Sequence, residues 1–404
     1  MIHYRCVRRL SRKASWLLFA VFLFFVWKRI QTSRTANSNH SARPTPLHDV
    51  AEKPRFLYRS RLREDPDHAY EARVDSALRQ VEEKALSERN GNTEADETIW
   101  QIMLVDGPVE RSTDSIAFEA ENDDWEYKLV DHSSATALIQ DIFSGVPDLV
   151  WAYNIYPHDV LRADLLRYLI LWYYGGYYAD MDVFPVRPIK YCSALDPPRG
   201  RVDPKISLVL GIEIDEPYAS SKLMHEWRWI RLYGFAQYNI YAPWRFSALL
   251  RRVIVRVLAQ TKRHYHGSNH DFSLGKQDDE ATILETTGPG VFTDAILDGL
   301  SETLPRSHPL VTISVEKDRE SRELGSETRV TWAPFHRLVE PLFIDASEAT
   351  SDMDGLAVMP VTVWGNGQRH SRAGPSRSVD ACVNHRFKGV WKPWKMGWWE
   401  YFFG

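Results

Sequence analysis

Cysteine is scarce in this chain: only Cys6, Cys192 and Cys382 occur among its 404 residues. This number and spacing exclude a disulfide-dense scaffold and a metal site made of closely spaced thiolates, and they give no signal for a cysteine nucleophile. Cys192 and Cys382 can form one bridge if both face an oxidising lumen. The sequence leaves that pairing open.

Charge of one sign is not in excess either. The chain has 50 Lys and Arg residues against 54 Asp and Glu residues, a formal net charge of −4. No overall field therefore attracts nucleic acid, and we expect no nucleic-acid partner. Internal repeats are also missing, and no local motif supports a Ser-His-Asp or paired-carboxylate hydrolase. A hydrophobic content of 44% is enough to bury the core of a folded protein.

An apolar run at 14–27 is preceded by five basic residues and followed by Lys28 and Arg29. As a helix it spans about 21 Å, which is short against a hydrocarbon core of about 30 Å. A cleaved signal peptide and an uncleaved signal anchor both fit, and we favour the anchor because basic residues replace a small-x-small cleavage site after the run. The chain is then a single-pass type II membrane protein with four parts: a cytosolic tail at 1–13, a transmembrane helix at 14–30, a stem at 31–92 and a lumenal domain at 93–404.

The predicted stem is polar and charged, with prolines early on and a stretch from Tyr70 to Arg89 that could be helical. Strand and helix patterns alternate after it, which predicts a mixed α/β sheet. We predict strands at Thr98–Val105, Trp125–Val130 and Ser207–Ile212, helices at Asp159–Tyr174 and Arg245–Leu258, and a β-rich stretch at Val361–Trp364.

Asp180 and Asp182 lie on a predicted short strand, Tyr177–Val183, directly after Gly175 and Gly176. On a strand, both carboxylates project to one face while the residue between them, Met181, points into the core. Paired carboxylate oxygens suit Mg²⁺ or Mn²⁺, which in turn bind a diphosphate. Two aspartates in an exposed turn are common, however, so the neighbouring residues decide what this pair means.

The predicted helix before this pair presents Asp164 and Arg167 three residues apart on one face. Two interpretations are open. The pair can be an intrahelical ion pair worth only a few tenths of a kcal/mol, which the two residues alone favour, or it can bind sugar hydroxyl groups.

Residues 159–190 resemble the DXD-containing sugar transferases, which include the fungal Golgi initiation-specific α-1,6-mannosyltransferases and, more distantly, glucosylating bacterial toxins. Three further stretches resemble the fungal mannosyltransferase branch: Gly211–Asp215, Thr287–Asp294 and Val383–Trp391. Together with Trp100 and Gln101 they extend the resemblance over roughly 98–395.

The resemblance implies a GT-A-type fold, a Rossmann-like α/β sheet that binds a nucleotide sugar, in a protein of the Golgi membrane. It implies that Asp182 is a direct metal ligand and that Asp180 contacts the metal, its water, the ribose or the sugar. The other implied site residues are Asp164, Arg167 and Arg162 for the donor sugar, His385 as the third metal ligand, and Gly288, Gly290 and Trp391 around the acceptor pocket.

Several of these residues have simpler interpretations. His385 can be a partly buried histidine satisfied by backbone groups. Gly288 and Gly290 can supply unusual φ angles to a turn around Pro289. Trp391 can be buried against the domain in place of stacking on a sugar. Glu213 and Asp215, which alternate at the end of a strand, are better explained as a surface strand end than as a second metal pair.

The function implied by the resemblance is the retaining, metal-dependent transfer of mannose from GDP-mannose to an α-mannoside of an N-linked glycan, in α-1,6 linkage, with Mn²⁺ or Mg²⁺ as cofactor. Transfer of mannose to inositol-phosphorylceramide is the nearest alternative. A catalytically silent glycan-binding subunit of a Golgi transferase complex is the alternative from another class. The complete set of Asp164, Arg167, Asp180 and Asp182 favours an enzyme over that silent subunit.

Overall fold

A computed structural model describes residues 60–105, 107, 110–195, 206–266, 279–321 and 329–387. All of them belong to one of the two units into which the chain divides, Pro46–Gly404. The predicted transmembrane helix at 14–30 lies outside the described residues. Among the helices of the described residues, none has the length and apolar character needed to span a membrane.

A mixed seven-stranded sheet forms the centre of this unit. In chain order its strands are β1 Thr98–Ile102, β2 Glu126–Val130, β3 Gly176–Ala179, β5 Ile206–Asp215, β6 Tyr233–Ala242, β7 Leu342–Ile344 and β8 Gly355–Met359. Their spatial order is β2-β1-β3-β6-β5-β8-β7. Parallel pairs join β1 to β2 and β3, and β5 to β8, whereas β6 is antiparallel to both of its neighbours. This sheet confirms the mixed α/β class.

A second, two-stranded sheet lies beside the first. It pairs β4 Val183–Pro185 with β9 Val383–His385 in antiparallel register. The helices are α1 His68–Glu88, α2 Thr113–Glu121, α3 His132–Asp141, α4 Pro147–Ile155, α5 Asp159–Tyr174, α6 Ser221–Glu226, α7 Ala248–His266, α8 Glu280–Thr286, α9 Pro289–Thr303, α10 Pro309–Ser321 and α11 Val361–Trp364. The predicted helix at Asp159–Tyr174 is confirmed, and the one predicted at Arg245–Leu258 begins at Ala248 and continues to His266.

Helix α5 ends where two glycines turn the chain into β3. Gly175 has φ +70° and Gly176 has φ +93°, a region in which side chains with a Cβ are strained. A Cβ on Gly176 would also lie 2.5 Å from the carbonyl oxygen of Thr98. The glycine pair therefore lets a buried helix run straight into a central strand, as its position at the end of the helical pattern predicts.

Helix α1 is formed by residues assigned to the stem from the sequence. Its Tyr70, Val74 and Leu78 are buried, and its Asp75 pairs with the buried Arg251 of α7 at 2.9 Å. The helical character is as expected, but the apolar face packs on the domain, so this part of the predicted stem belongs to the folded unit.

The β-rich interpretation of Val361–Trp364 is wrong. Strand β8 ends at Met359, and Pro360 is the N-cap of the short helix α11. Proline cannot donate to a strand ladder but is well suited to a helix start, so it divides one apolar run into two elements. The buried Trp364 at the end of α11 packs over Gly211, where a Cβ would lie 2.7 Å from the indole ring.

Cys192 and Cys382 form a disulfide with a Cα–Cα distance of 5.4 Å. The bridge settles the pairing that the sequence left open. Cys382 directly precedes β9, and Cys192 follows the strand β4 with which β9 pairs. The bridge therefore holds the small sheet together at one end.

We expect the variants Cys192→Ser and Cys382→Ser to lower the free energy of unfolding by about 2–5 kcal/mol, because the bridge closes a long chain segment. The cysteines are 190 residues apart. Urea unfolding measures this loss. The double variant should lose no more than either single variant, since all three remove the same bond. If the variants unfolded at the same urea concentration as the wild-type protein, the bridge would not stabilise the fold.

Candidate metal centre

The segment Asp180–Met181–Asp182 forms a turn between β3 and β4. Its backbone closes through a hydrogen bond of 3.0 Å from Val183 N to Asp180 O. The expected strand geometry is therefore wrong, and Met181 is half-buried instead of pointing into the core. The turn exists because the chain leaves the large sheet here to enter the small one. Ser112, just before α2, supports it by donating to the Met181 carbonyl at 2.6 Å.

Asp180, Asp182 and His385 form a cluster that could hold a metal ion. Each offers one ligand atom, and these atoms all lie within 4.8 Å of one another. The pairing of β4 with β9 sets Val183 opposite His385, which places the imidazole Nε2 2.9 Å from Asp182 Oδ1. The structure thus brings together the three residues expected to bind metal, although His385 lies far from the two aspartates in the sequence.

The ring of His385 is held by aromatic neighbours. It stacks on Tyr238 with the ring centroids 4.3 Å apart, and Phe387 meets it edge-on at 4.2 Å. The buried Nδ1 has no hydrogen-bond partner among the described residues. His385 is therefore not a backbone-satisfied core histidine, because one ring nitrogen faces Asp182 and the other is unpaired within the described part of the chain.

Asp180 is oriented from several sides. Tyr178 donates its hydroxyl to Asp180 Oδ1 at 2.6 Å, and the guanidinium of Arg167 lies 3.3 Å from the same oxygen. The backbone of Asp180 donates to Tyr238 O at 2.8 Å and accepts from Gln101 Nε2 at 3.1 Å. Burial raises the pKa of Tyr178 well above its ordinary value, so this phenol stays a hydrogen-bond donor at neutral pH.

Asp164 and Arg167 are both an ion pair and part of this site. Their side chains meet at 2.7 Å, and Arg167 continues to Asp180 and to Gln237 O, the latter at 3.3 Å. Thr287 donates its hydroxyl to the second oxygen of Asp164 at 2.8 Å. Burial raises the pKa of Asp164 to about 6, while Arg167 and Thr287 act to lower it. The two sequence interpretations of this pair are therefore not exclusive.

Arg162 does not join the cluster. Its guanidinium pairs with Asp159 at 2.9 Å and donates to the carbonyl oxygens of Tyr153 and Tyr156 at the end of α4. On a helix that turns about 100° per residue, positions 162 and 164 point in nearly opposite directions. Arg162 thus joins α4 to α5 outside the cluster, and its contact with the donor sugar stays a prediction.

Gly288 and Gly290 do not have a positive φ, so the backbone conformation does not require glycine at either position. Close packing does. A Cβ on Gly288 would lie 2.7 Å from Leu284 Cα, and one on Gly290 would lie 2.5 Å from Ile230 Cδ1. The expected unusual φ angles are therefore wrong. The glycines let α9 start against α8, which places Thr287 beside Asp164. Trp391 lies outside the described residues.

The pair Glu213 and Asp215 has a divided role that sequence analysis missed. Asp215 is buried and accepts hydrogen bonds from His336 Nδ1 and Arg337 N, both at 2.7 Å. Glu213 is half-buried. Burial raises its pKa to about 7, with His385 lowering it and Asp180 raising it. The strand alternation put both residues on one face, but a bulge in β5 separates them.

Tyr178 is a second missed residue. It stands two positions before Asp180, so its side chain leaves β3 on the same face as that carboxylate. Strand alternation alone could have identified it. Tyr238 carried no such signal, because it comes from a distant strand.

The donor set fits a divalent cation. Arg167 pairs with Asp164 and with Asp180, and His385 with Asp182. Carboxylate oxygens suit Mg²⁺ and Mn²⁺, and the imidazole nitrogen favours a transition metal such as Mn²⁺ over Mg²⁺. The ligand side chains are partly accessible, at 26% for Asp180, 17% for Asp182 and 13% for His385. An ion and a ligand can therefore reach them.

Residues 109–198 match the family described as glycosyltransferase sugar-binding region containing DXD motif. This range covers Asp164, Arg167, Asp180 and Asp182. It ends before Glu213, Thr287 and His385, which later elements supply.

Curated relatives extend the match. The initiation-specific alpha-1,6-mannosyltransferase of Candida albicans is 27% identical over 275 residues, 68% of this chain and 65% of the relative. The chain resembles the fungal initiation-specific α-1,6-mannosyltransferases. The Saccharomyces cerevisiae protein of that name is 24% identical, over 67% of this chain and 71% of its own length. Over 60 residues, 15% of this chain and 16% of the relative, inositol phosphoceramide mannosyltransferase 3 of Schizosaccharomyces pombe is 40% identical.

These comparisons identify the chain as a homologue of glycosyltransferases. The match spans a little under two thirds of the length of the Candida relative. Within this chain, the family model matches the region that contains the DXD motif, Asp180 to Asp182.

We expect Asp182→Asn and His385→Gln each to weaken Mn²⁺ binding by at least about tenfold, because even partners outside the ligand set typically change metal affinity by about 10–100-fold. Titration calorimetry with Mn²⁺ on the full chain measures the change. Asp159→Asn is the matched control, since Asp159 is an aspartate on α5 that pairs with Arg162 outside the cluster. Equal Mn²⁺ affinity in all four proteins would show that the cluster does not bind the ion.

Proposed function

We propose that this protein is a metal-dependent glycosyltransferase that moves mannose from GDP-mannose to a hydroxyl group of an α-mannoside. The observation that carries the proposal is the cluster of Asp180, Asp182 and His385, joined through Arg167 to the buried Asp164. A site for a divalent ion beside buried groups that can bind hydroxyls is what a nucleotide-sugar donor requires. The family match and the mannosyltransferase relatives support the same activity.

We infer a separate task for each residue. Asp182 and His385 would hold the cation, with Asp180 as the third ligand. When bound, a divalent cation offsets the negative charge that builds on the departing diphosphate. Arg167 neutralises Asp180 on the opposite side and keeps its carboxylate pointed at the cluster. Tyr178 also orients the Asp180 carboxylate, through a hydrogen bond from its neutral hydroxyl.

The buried pair would bind the sugar. Arg167 Nε is buried and has no hydrogen-bond partner among the described residues. An unpaired buried donor is costly, and a substrate hydroxyl would satisfy it. Asp164 keeps Arg167 in place and is itself held by Thr287. We infer that Arg167 and Asp164 lie against the hydroxyl groups of the donor hexose.

The reaction breaks the bond between the anomeric carbon and the diphosphate oxygen, and the electron pair stays on that oxygen. The acceptor hydroxyl oxygen then bonds to the anomeric carbon and releases its proton to the leaving phosphate or to water. We propose the GT-A type of fold, retention at the anomeric carbon and an α-1,6 linkage to an N-linked glycan because of the resemblance to the fungal enzymes. The mixed sheet and the turn at the end of β3 are compatible with that fold.

Inositol-phosphorylceramide is the second candidate acceptor. The similarity that supports it is strong but short, 40% identity over 60 residues, whereas the initiation-specific relatives match about two thirds of the chain. We therefore place the glycan first. A silent subunit of a Golgi transferase complex is less well supported. Such a subunit need not keep the buried pair of Asp164 and Arg167 or the cluster of Asp180, Asp182 and His385, and this chain has both.

We also propose that the domain faces the Golgi lumen, attached by the apolar run at 14–27. The disulfide between Cys192 and Cys382 supports an oxidising compartment, because such bridges are rare in the cytosol.

The full chain in detergent, given a panel of GDP- and UDP-sugars with Mn²⁺ or with EDTA, should transfer sugar from GDP-mannose only when metal is present. We expect Asp182→Asn to lower this rate by at least about 10²-fold, the size of loss typical for removing one group that stabilises the leaving charge. Asp159→Asn should keep the wild-type rate. A high-mannose glycan and inositol-phosphorylceramide are compared as acceptors.

Two results would contradict the proposal. One is transfer that is unaffected by EDTA or by Asp182→Asn. The other is a faster rate from a UDP-sugar than from GDP-mannose, which would replace the donor while leaving the metal site in place.

A further inference from the structure

The turn at residues 180–182 is held by its backbone as well as by its side chains. Each of its three carbonyl oxygens accepts a hydrogen bond from outside the turn. These bonds run to Asp180 O from Gln101 Nε2 at 3.1 Å, to Met181 O from Ser112 Oγ at 2.6 Å, and to Asp182 O from Arg386 N at 3.0 Å. Because both carboxylates branch from this backbone, fixing its carbonyl groups also limits the directions in which the carboxylates point.

All three bonds lead back to the start of helix α2. Ser112, the N-cap of this helix, makes its bond to the turn directly. Ser115 donates its hydroxyl to Gln101 Oε1 at 2.6 Å. The carboxylate of Asp114 accepts from the guanidinium of Arg386 at 2.8 and 3.1 Å. Three side chains at one helix start therefore reach three carbonyl oxygens, one directly and two through a single intermediate residue.

The amide of Gln101 is fixed at both ends. Its side chain is buried, and besides Ser115 the hydroxyl of Tyr127 donates to Oε1 at 2.8 Å. A glutamine amide has an acceptor at one end and donors at the other. The opposite orientation would set Oε1 against the carbonyl oxygen of Asp180, so that two acceptors faced each other. The hydroxyl on α2 thus helps to keep the donor end on the metal turn.

The ion pair between Asp114 and Arg386 connects α2 to the other side of the turn. Asp114 is buried, and the guanidinium of Arg386 also lies over the ring of Phe184 in β4, 4.0 Å from its centroid. Since Arg386 directly follows His385 in the chain, the same pair anchors the end of β9 that carries the imidazole. The start of α2 is therefore linked to the segments of all three proposed ligands.

Helix α2 itself supplies no ligand. In the part of the chain that the structure describes, the candidate metal cluster consists of Asp180, Asp182 and His385. The side chains of α2 can act on an ion only by setting where these ligands stand. Such an action matters because a site whose ligands are already in place loses less conformational freedom when the ion binds.

We propose that the start of α2 positions the metal ligands. Ser112, Asp114 and Ser115 hold the turn in the conformation in which Asp180 and Asp182 face one cation. This inference rests on the metal centre of the proposed function. Without these contacts the turn can adopt other conformations, and the ion must order it on binding, which lowers the affinity. The three residues are positioning residues, since they act through the ligands.

The test compares Ser112→Gly with Ser112→Thr in the full chain by titration calorimetry with Mn²⁺. Glycine removes the hydroxyl that holds Met181 O, yet it is accepted as an N-cap, so α2 loses little stability. Threonine keeps both the cap and the donor. We expect Ser112→Gly to weaken Mn²⁺ binding by about tenfold, the lower end of the range typical for residues that orient metal ligands. Ser112→Thr should restore the wild-type affinity.

Ser220→Gly is the matched control. Ser220 is the N-cap of α6 and accepts from Leu223 N at 3.1 Å, so the same substitution is made at another helix start, and the Mn²⁺ affinity should not change. Ser115→Ala is a second variant that removes the hydroxyl behind Gln101 without adding bulk. It should also weaken Mn²⁺ binding. Tm is recorded for every variant, because a purely structural role would lower Tm and leave the affinity unchanged.

The inference is wrong if Ser112→Gly and Ser115→Ala bind Mn²⁺ as tightly as the wild-type chain. It is also wrong if Ser112→Thr or Ser220→Gly loses as much affinity as Ser112→Gly, since the loss would then not come from the missing hydroxyl. A wild-type chain that binds no Mn²⁺ overturns the metal centre, and with it both the proposed function and this inference. A wild-type chain that binds Mn²⁺ but transfers sugar from no donor overturns the proposed function alone.

Discussion

Arg167 carries a positive charge into the interior of the domain, with 6% of its surface exposed, and much of the site depends on how that charge is balanced. Removing a guanidinium from water costs several kcal/mol unless carboxylates and hydrogen bonds surround it. Asp164 and Asp180 are those carboxylates, and Gln237 supplies a carbonyl oxygen. Because Asp164 is on α5 and Asp180 is on the turn after β3, one buried cation joins the helix to the turn.

The same balance explains why the site divides into two halves. The inner half, Asp164 with Arg167, is compensated within the protein. The outer half, Asp180, Asp182 and His385, brings its ligand atoms within 4.8 Å of one another and is more accessible to solvent. A cation is attracted to the outer half, while the inner half presents a fixed arrangement of hydrogen-bonding groups. Asp180 belongs to both and receives its orientation from the inner one.

The outer half depends on contacts between distant parts of the chain. His385 is 203 residues from Asp182, and it reaches that carboxylate because β9 pairs with β4. The disulfide between Cys192 and Cys382 holds one end of the same small sheet. From the other side, β6 delivers the ring of Tyr238 against the imidazole. Separate segments of the chain thus meet at His385, the proposed metal ligand, which makes its position a property of the whole domain.

Part of this arrangement could be predicted from the sequence, and the successes have a common physical basis. The helix at Asp159–Tyr174 and its glycine stop are encoded by periodicity and by backbone sterics within a few residues. Asp180 and Asp182 were identified because the motif and the helix before it are contiguous. The mixed α/β class followed from the alternation of such local patterns.

The failures also share a cause, which is that they depend on neighbours far away in the sequence. Whether Asp180 and Asp182 stand on a strand or in a turn depends on the second sheet. Why Gly288 must be glycine depends on how closely α9 meets α8, and the place of Glu213 depends on a register shift that strand alternation cannot show. The sequence by itself determined which chemical groups are present and which short elements carry them. Only the tertiary structure decided which of those groups meet, because strand pairing, bulges and helix contacts act between residues that the chain separates by tens to hundreds of positions.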